Sequence, residues 1–240
     1  MIASIGILLR LLIAHLIGDF FLQPKAWVKD RNKKHLKSSK LYLHALVHAS
    51  LAWLVLWDIK HWKVAIIIFA SHLLIDLFKS YQRGRNTLWF IVDQALHVVI
   101  ILCVWRWLLV EDFKLDIIAM ISDTKRLYVI AAFVILSRPA SIFIGIATQK
   151  WRQEVEDDKK KTLKDAGLWI GVIERFLILI FILAKQDAAI GFLLAAKSIF
   201  RFGDLRKTEE KNQTEYLVIG TFLSFGMAVV VGYLLRLVGV

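Results

Sequence analysis

Cysteine and proline are scarce in this 240-residue chain, which has one Cys and two Pro. Because the single thiol, Cys103, lies inside an apolar run, the sequence allows neither a disulfide framework nor a cysteine-based metal cluster. A basic leader followed by a small-residue cleavage site is also lacking, and the first segment carries His15, Gly18 and Asp19. We therefore expect a retained first segment and not a removable signal peptide.

Hydrophobic residues make up 58% of the chain, including nine Trp and fifteen Phe. This share exceeds that of an ordinary soluble domain. The formal net charge is +12, but Lys and Arg gather in short blocks between apolar segments and form no continuous basic face. Such blocks are typical of charges that flank a membrane, so we expect membrane lipid as a partner and no nucleic acid.

Eight apolar runs are long enough to cross, or nearly cross, a lipid bilayer. They are residues 2–22, 41–57, 64–80, 88–110, 127–149, 167–184, 188–202 and 215–236. These runs predict an all-α, polytopic membrane bundle of about eight transmembrane helices in two four-helix halves. The shortest of them indicate helices that are tilted or that do not span fully.

Lys and Arg are distributed unequally between alternate connections. The rich connections are 25–40, 79–87, 148–166 and 201–213, which together hold twenty of these residues, whereas the alternating connections hold eight. Because cytoplasmic loops carry the excess of basic residues, this pattern predicts eight crossings with both termini outside. The predicted parts are a four-helix bundle at 1–110, a connection and fifth helix at 111–149, a charged cytoplasmic linker at 150–166, and C-terminal membrane helices at 167–240.

Ionisable residues interrupt the first four apolar runs in pairs spaced by four positions. The pairs occur in AHLIGDF, LHALVHA, SHLLIDLF and DQALHV, and they are His15 with Asp19, His44 with His48, His72 with Asp76, and Asp93 with His97. On an α-helix this spacing places both side chains of a pair on one face. In the predicted topology every pair lies toward the cytoplasmic end of its helix, so we expect all eight groups to converge.

Four such pairs need a common explanation, because an Asp near the centre of a membrane helix costs about 2.5–3.5 kcal/mol on insertion scales. A lone His, or one His/Asp pair, is more often a satisfied core group, but repetition at matched depth favours metal or proton chemistry. Imidazole and carboxylate are ligands for zinc, manganese and iron, and helix bundles commonly hold such ions. We predict one or two divalent ions, zinc before manganese or iron.

Other polar residues near these pairs have supporting roles in this interpretation. Gln23, Lys79 and Gln94 are candidates for orienting the metal ligands, although capping and snorkelling explain Gln23 and Lys79 equally well. One of Asp19, Asp76 and Asp93 is expected to act as a general base, and the sequence leaves open which one.

Three cations in the second half are candidates for an anion pocket facing the metal site, and they are Arg175, Lys197 and Arg201. A simpler interpretation pairs such cations with acidic residues as internal ion pairs that fix helix packing. The candidates for these structural pairs are Arg138, Glu174 and Asp204. Arg138, which precedes Pro139, predicts a kinked position that faces the interior.

The ordered motifs AHLIGDFFLQP, HALVH, SHLLIDLFK and DQALH resemble those of a bacterial membrane protein family, domain of unknown function three-three-zero-seven, over about residues 5–110. They also look like a related group of membrane-bound metal-dependent hydrolases. The resemblance implies that the eight paired residues are the metal-site positions. It also implies a multi-pass protein of the bacterial inner membrane, and it implies no substrate.

A bound divalent ion would activate water and polarise a phosphoryl or acyl oxygen. The leading prediction is therefore a membrane-embedded metal-dependent hydrolase acting at the cytoplasmic side on a lipid-borne or membrane-adjacent ester, phosphorus-containing or acyl. Its partner would be a lipid-borne or anionic small molecule. One alternative is a transition-metal or proton transporter, although the outer stretches VVIILCVW and AWLVLW are nearly featureless. Another is a non-catalytic sensor or stress-response component with a structural metal.

Overall fold

The computed structural model describes residues 2–57, 59–82, 87–110, 124–155, 166–202 and 211–240. Within these ranges the regular structure is helical, and no β-strand occurs. The chain divides into two compact units, Met1–Val134 and Ile135–Val240. The all-α prediction is therefore confirmed for the described part of the chain.

The first unit begins with five helices. They are α1 (Ile2–Phe20), α2 (Lys25–Lys34), α3 (Ser39–Leu56), α4 (Trp62–Ser80) and α5 (Thr87–Val110), with 3-10 turns at His35–Lys37 and Ile59–His61. Pro24 has extended backbone, with φ −65° and ψ 146°, and precedes α2. Because proline cannot donate a backbone hydrogen bond to continue a helix, α1 ends before it, and the chain bends by 80° between α1 and the segment that contains α2.

Apolar side chains from α1, α3, α4 and α5 form a core in the first unit. The cluster comprises Ile7, Leu11, Ala52, Leu56, Val64, Ile68, Ile101, Val104 and Leu108. Lipid tails are as apolar as these side chains, so a membrane core of this kind is held by close packing. Ala45, Ala49 and Ala52 are almost fully buried on α3 and permit a close approach of its neighbours. His44 and His48 lie beside these alanines and are carried inward with them.

The remaining helices are shorter or follow gaps in the described chain. They are α6 (Thr124–Leu136), α7 (Arg138–Ala147), α8 (Gln149–Val155), α9 (Ala166–Leu183), α10 (Asp187–Phe202) and α11 (Lys211–Leu237). In the first unit, Ala131 of α6 packs against Leu9 and Ile13 of α1. The helices from α7 onward belong to the second unit. Most of the predicted linker at 150–166 lies outside the described residues, and α8 covers its beginning.

An interruption separates α6 from α7 at Ser137, two residues before Pro139, where the sequence predicted a kink. Proline lacks a backbone donor and crowds the preceding turn, so carbonyl oxygens near the break need other partners. Arg138 is exposed, so the expectation that it faces the interior is wrong. Arg175 of α9 takes the interior position, because its guanidinium donates hydrogen bonds to the carbonyl oxygens of Leu136 and Ser137.

Five helical segments are long and apolar enough to cross a membrane, as in an integral membrane protein. They are Ser39–Leu56, Thr87–Leu109, Thr124–Ala147, Ala166–Leu183 and Glu215–Leu237, and the bent pair Ile5–Phe20 and Lys25–Lys37 would add a sixth. The apolar runs predicted about eight. The helix α10 is too short at 16 residues, and α4 carries three charged side chains, Lys63, Asp76 and Lys79. The described residues therefore show five or six candidate spans.

Candidate metal centre

All eight predicted ligands come together inside the first unit. The helices α1, α3, α4 and α5 each supply one pair, and every side chain of the eight is at least nine-tenths buried. Since residues four apart lie on the same face of a helix, each helix directs both members of its pair to the same place. The result is a compact group of five imidazoles and three carboxylates, which we call the His/Asp cluster.

Four atoms of the cluster have the spacing of a metal-ligand set. Asp19 Oδ1 lies 3.2 Å from His44 Nε2, 3.0 Å from His48 Nε2 and 3.5 Å from His72 Nε2. The Nε2 atoms of His44 and His72 are 3.2 Å apart. Tetrahedral zinc with bonds of roughly 2.0–2.2 Å holds neighbouring ligand atoms about 3.3 Å apart. The four atoms therefore fit one ion of zinc size.

Two further groups in the cluster share residues with the first. One comprises His15, His72 and His97, and the other Asp19, Asp93 and His97; in each the ligand atoms lie within 4.8 Å of one another. Asp76 is also near, with its Oδ2 atom 3.6 Å from His44 Nε2. Because the groups overlap, the donors fit a two-ion arrangement as well as a single ion with surrounding carboxylates.

Several donor atoms of the cluster lack the partners expected of buried polar groups. His48 Nε2, 3.0 Å from Asp19 Oδ1, does not have hydrogen-bond geometry. His97 Nε2 and Asp93 Oδ1 are likewise buried without a hydrogen-bond partner among the described residues, whereas Asp76 Oδ2 is in an ion pair with Arg31. An unsatisfied buried polar group costs about 1–3 kcal/mol, so three of them in one place would be a considerable penalty. Bound metal would satisfy all three, which is why the donor set fits a metal.

The imidazole rings of the cluster are packed closely together. The rings of His48 and His72 stack with centroids 3.7 Å apart, and those of His72 and His97 with centroids 4.1 Å apart. Positive charges at these distances would repel strongly away from water. Neutral imidazole is also the form that binds metal ions.

Gln94 links three members of the cluster. Its Nε2 atom donates to Asp19 Oδ2 at 2.8 Å and to Asp93 Oδ2 at 3.1 Å, and its Oε1 atom lies 3.3 Å from His15 Nε2. These bonds fix the orientation of two carboxylates, as partners of metal ligands do. Lys79 Nζ donates to Asp93 Oδ2 at 2.5 Å. Gln23 is half-buried in the turn after α1 and takes no part in this network.

The sequence interpretation missed two residues at the site. Gly18 lies against His48: a Cβ added to it would come within 2.5 Å of His48 Nε2, so only glycine permits the observed ring position. Arg31 of α2 is buried and forms an ion pair with Asp76. Helical spacing could have indicated that Arg31 is buried, because it shares a face of α2 with the half-buried Trp27 and Val28.

A small cavity of about 20 Å³ adjoins the cluster. Its lining combines four imidazoles with apolar side chains, and it includes His15, His48, His72, His97, Leu11 and Ile101. This volume has room for about one water molecule. The cavity could therefore hold a water beside the ligand atoms.

In the second unit, the predicted cations contact protein groups. Arg175 is buried and also donates to Ser224 Oγ at 3.0 Å and Ser141 Oγ at 2.5 Å, in addition to its two carbonyl partners. Lys197 pairs with Glu174, as the structural interpretation expected of these residue types. The side chain of Arg201 and all of Asp204 lie outside the described residues, so the anion pocket in this half stays a prediction.

These features define a helical membrane protein whose first unit holds a buried His/Asp cluster suited to a divalent metal. The chain belongs to the family described as "Protein of unknown function (DUF3307)", whose model matches residues 7–136. The matched stretch contains the whole cluster and nearly coincides with the first unit. No curated protein and no solved structure matches the chain. The resemblance to metal-dependent hydrolases stays a prediction.

Proposed function

We propose that this protein is a membrane-embedded, metal-dependent hydrolase with its catalytic centre in the His/Asp cluster. The observation that carries the proposal is the four-atom group in which Asp19 Oδ1 lies 3.0–3.5 Å from the Nε2 atoms of His44, His48 and His72, and the Nε2 atoms of His44 and His72 are 3.2 Å apart. Zinc is the preferred ion because imidazole nitrogen and carboxylate oxygen suit it and these separations are close to those between ligands of a tetrahedral zinc ion.

The residues divide naturally between holding an ion and moving a proton. Asp19, His44, His48 and His72 would hold it, and a bound divalent ion would supply an activated water and polarise the substrate oxygen. Because Asp19 belongs to the ligand set, Asp76 and Asp93 are the better candidates for the general base. Gln94 and Lys79 orient Asp93, and Gln94 also orients Asp19.

A lipid-borne or membrane-adjacent ester is the proposed substrate. Helix α2 follows α1 after a bend of 80° and carries exposed lysines, as helices lying at a membrane surface do. Its residue Arg31 contacts the cluster through Asp76, so the cluster lies close to this surface helix.

We extend the proposal to eight crossings in the bacterial inner membrane, with the basic connections cytoplasmic and both termini outside.

The test is elemental analysis of the purified protein together with an ester-hydrolysis assay in detergent micelles. We expect about one or two zinc ions per chain, and loss of both metal and turnover when His44 and His48 are replaced by Ala. The matched control is His61→Ala, which changes a histidine in a connection outside the cluster. A folded, active wild-type protein without metal would refute the proposal.

Transport of metal or protons is the weaker alternative. A path along the first unit would need polar groups through the bundle. The apolar cluster that includes Leu11, Leu56 and Leu108 instead fills part of the space between the same helices. Metal flux into proteoliposomes without hydrolysis would favour transport. Bound metal with neither flux nor hydrolysis would favour the other alternative, a non-catalytic sensor or stress-response component with a structural metal.

A further inference from the structure

Two ligand atoms of the His/Asp cluster lie outside the four-atom group and are left without a hydrogen bond in the described part of the chain. They are His97 Nε2 and Asp93 Oδ1, and both are buried. The two atoms are 3.7 Å apart, which is too long for a hydrogen bond and close to the roughly 3.3 Å between neighbouring ligands of a tetrahedral metal ion. Because buried polar atoms are rarely left unsatisfied, this pair fits a cation bound by both.

The other oxygen of Asp93 is already engaged by protein donors. Lys79 Nζ donates to Asp93 Oδ2 at 2.5 Å, and Gln94 Nε2 donates to the same oxygen at 3.1 Å. Two donors on one oxygen hold the carboxylate in place and leave Oδ1 for another ligand. Hydrogen bonds of this kind orient the carboxylates that bind metal ions. The network therefore positions Asp93 to bind an ion through Oδ1.

Asp19 completes a group of three around this pair. Ligand atoms of Asp19, Asp93 and His97 lie within 4.8 Å of one another. Asp19 Oδ1 belongs to the four-atom group, whereas Asp19 Oδ2 accepts a hydrogen bond from Gln94 and lies 3.7 Å from His15 Nε2. A carboxylate has two oxygens with several lone pairs, so it can bind two neighbouring ions at once. Carboxylate sites with two ions occur in helix bundles.

The remaining group of three, His15, His72 and His97, is less suited to a second ion. It depends on His72, whose Nε2 atom is 3.2 Å from His44 Nε2 in the four-atom group. A neutral imidazole has one acceptor nitrogen, so it cannot bind two ions as a carboxylate can. The group with two carboxylates is therefore the better second site, and its oxygen and nitrogen ligands suit zinc or manganese.

We propose that the cluster binds two divalent ions, one in the four-atom group and a second held by Asp93 Oδ1, His97 Nε2 and a shared Asp19. This inference rests on the metal centre proposed above and assigns the ligands of its second ion. With only three protein ligands the second site keeps an open position, as catalytic metal sites do.

The second site bears on the cavity and on the general base. The cavity of about 20 Å³ is lined by His48 and His72 of the four-atom group and by His97 of the second site. It has room for about one water molecule, which would lie beside both groups. Because Asp93 binds an ion in this arrangement, Asp76 is the carboxylate left for the general base.

Two substitutions remove ligands of the second site and leave the four-atom group unchanged. His97→Phe keeps an aromatic ring beside His72, whose ring centroid is 4.1 Å away, and removes the nitrogen ligand. Asp93→Asn keeps the shape of the side chain and removes its charge. Ser71→Ala is the matched control, because Ser71 lines the same cavity and its hydroxyl donates to the carbonyl oxygen of Ile68.

The first experiment counts bound ions. The full chain in detergent micelles is dialysed to equilibrium against buffered zinc, and the metal content per chain is measured. The wild type and Ser71→Ala should bind two ions, whereas His97→Phe and Asp93→Asn should each lose one and keep the other. The ion that remains reports that the four-atom group is intact and the variant is folded.

The other outcomes separate this inference from the proposed function. One ion in the wild type, or two ions in both ligand variants, would overturn the second site and leave the first metal centre standing. Loss of both ions from both variants would overturn the division of the ligands into two sites. A wild type that binds no metal would overturn the proposed function itself.

The second experiment tests whether Asp19 is shared. The protein is loaded with manganese and studied by electron paramagnetic resonance, since ions in a two-metal site lie about 3.5–4 Å apart and their spins couple. The wild type should give the spectrum of a coupled pair, and His97→Phe the spectrum of an isolated ion. Two manganese ions per chain without coupling would refute a shared Asp19 and with it the proposed second site.

Discussion

Replacing Gly18 by Ala tests the geometry of the metal centre at its tightest point. The new Cβ would lie 2.5 Å from His48 Nε2 and 2.9 Å from His48 Nδ1, whereas ordinary contacts begin near 3.4 Å. The imidazole would therefore have to move by roughly 1 Å, but metal-ligand distances tolerate only about 0.2 Å. The change should displace one of the four ligands of the proposed centre.

We expect Gly18→Ala to weaken zinc binding by at least the tenfold to hundredfold seen when partners of metal ligands are removed. Alanine favours a helix over glycine by about 1 kcal/mol, whereas overpacking a core costs about 1–3 kcal/mol, so loss of zinc has to be separated from loss of fold. The measurement is zinc affinity by competition with a chelator, alongside the thermal unfolding temperature. Gly220→Ala is the control, since a Cβ there meets nothing within 4 Å. Wild-type zinc affinity in Gly18→Ala would refute the assignment of His48 as a ligand.

Two further substitutions test other parts of the molecule. Gln94→Leu removes the amide that bridges Asp19 and Asp93, so zinc affinity should fall by about tenfold to a hundredfold. The helical circular dichroism signal should be retained. An unchanged zinc affinity would contradict the orienting role of Gln94. Arg175→Met removes four hydrogen bonds from a buried guanidinium near the break after α6, so the second unit should lose several kcal/mol of stability. Its metal content should be unchanged, and loss of zinc without loss of stability would argue against this purely structural role.

Periodicity allowed the main elements to be predicted from local sequence alone. Each of the eight apolar runs contains a helix in the described chain, because a long apolar run with few helix breakers leaves few alternatives. The paired residues share a face of their helix for the same local reason. Whether a helix crosses a membrane is less local: α4 and α10 are helical, yet neither is among the five candidate spans.

The second unit shows where local reasoning fails. Pro139 marked the break between α6 and α7, since a missing backbone donor acts within a single turn. The neighbouring charge, Arg138, was expected inside and is exposed. Arg175, remote in sequence, satisfies the carbonyl oxygens near the break. Which of two arginines fills a buried position depends on how helices pack, and spacing within one helix does not contain that information.

The sequence by itself determined the composition of the His/Asp cluster, because a spacing of four residues puts two side chains on one helical face whatever surrounds the helix. Only the tertiary structure decided that four such faces meet, and that donor atoms from α1, α3 and α4 lie 3.0–3.5 Å apart. It also decided that Gly18 makes room for His48 and that Arg31 is buried against Asp76. Distances between helices depend on the packing of every side chain between them, and these side chains come from distant parts of the sequence. A short stretch of sequence therefore does not determine the distances.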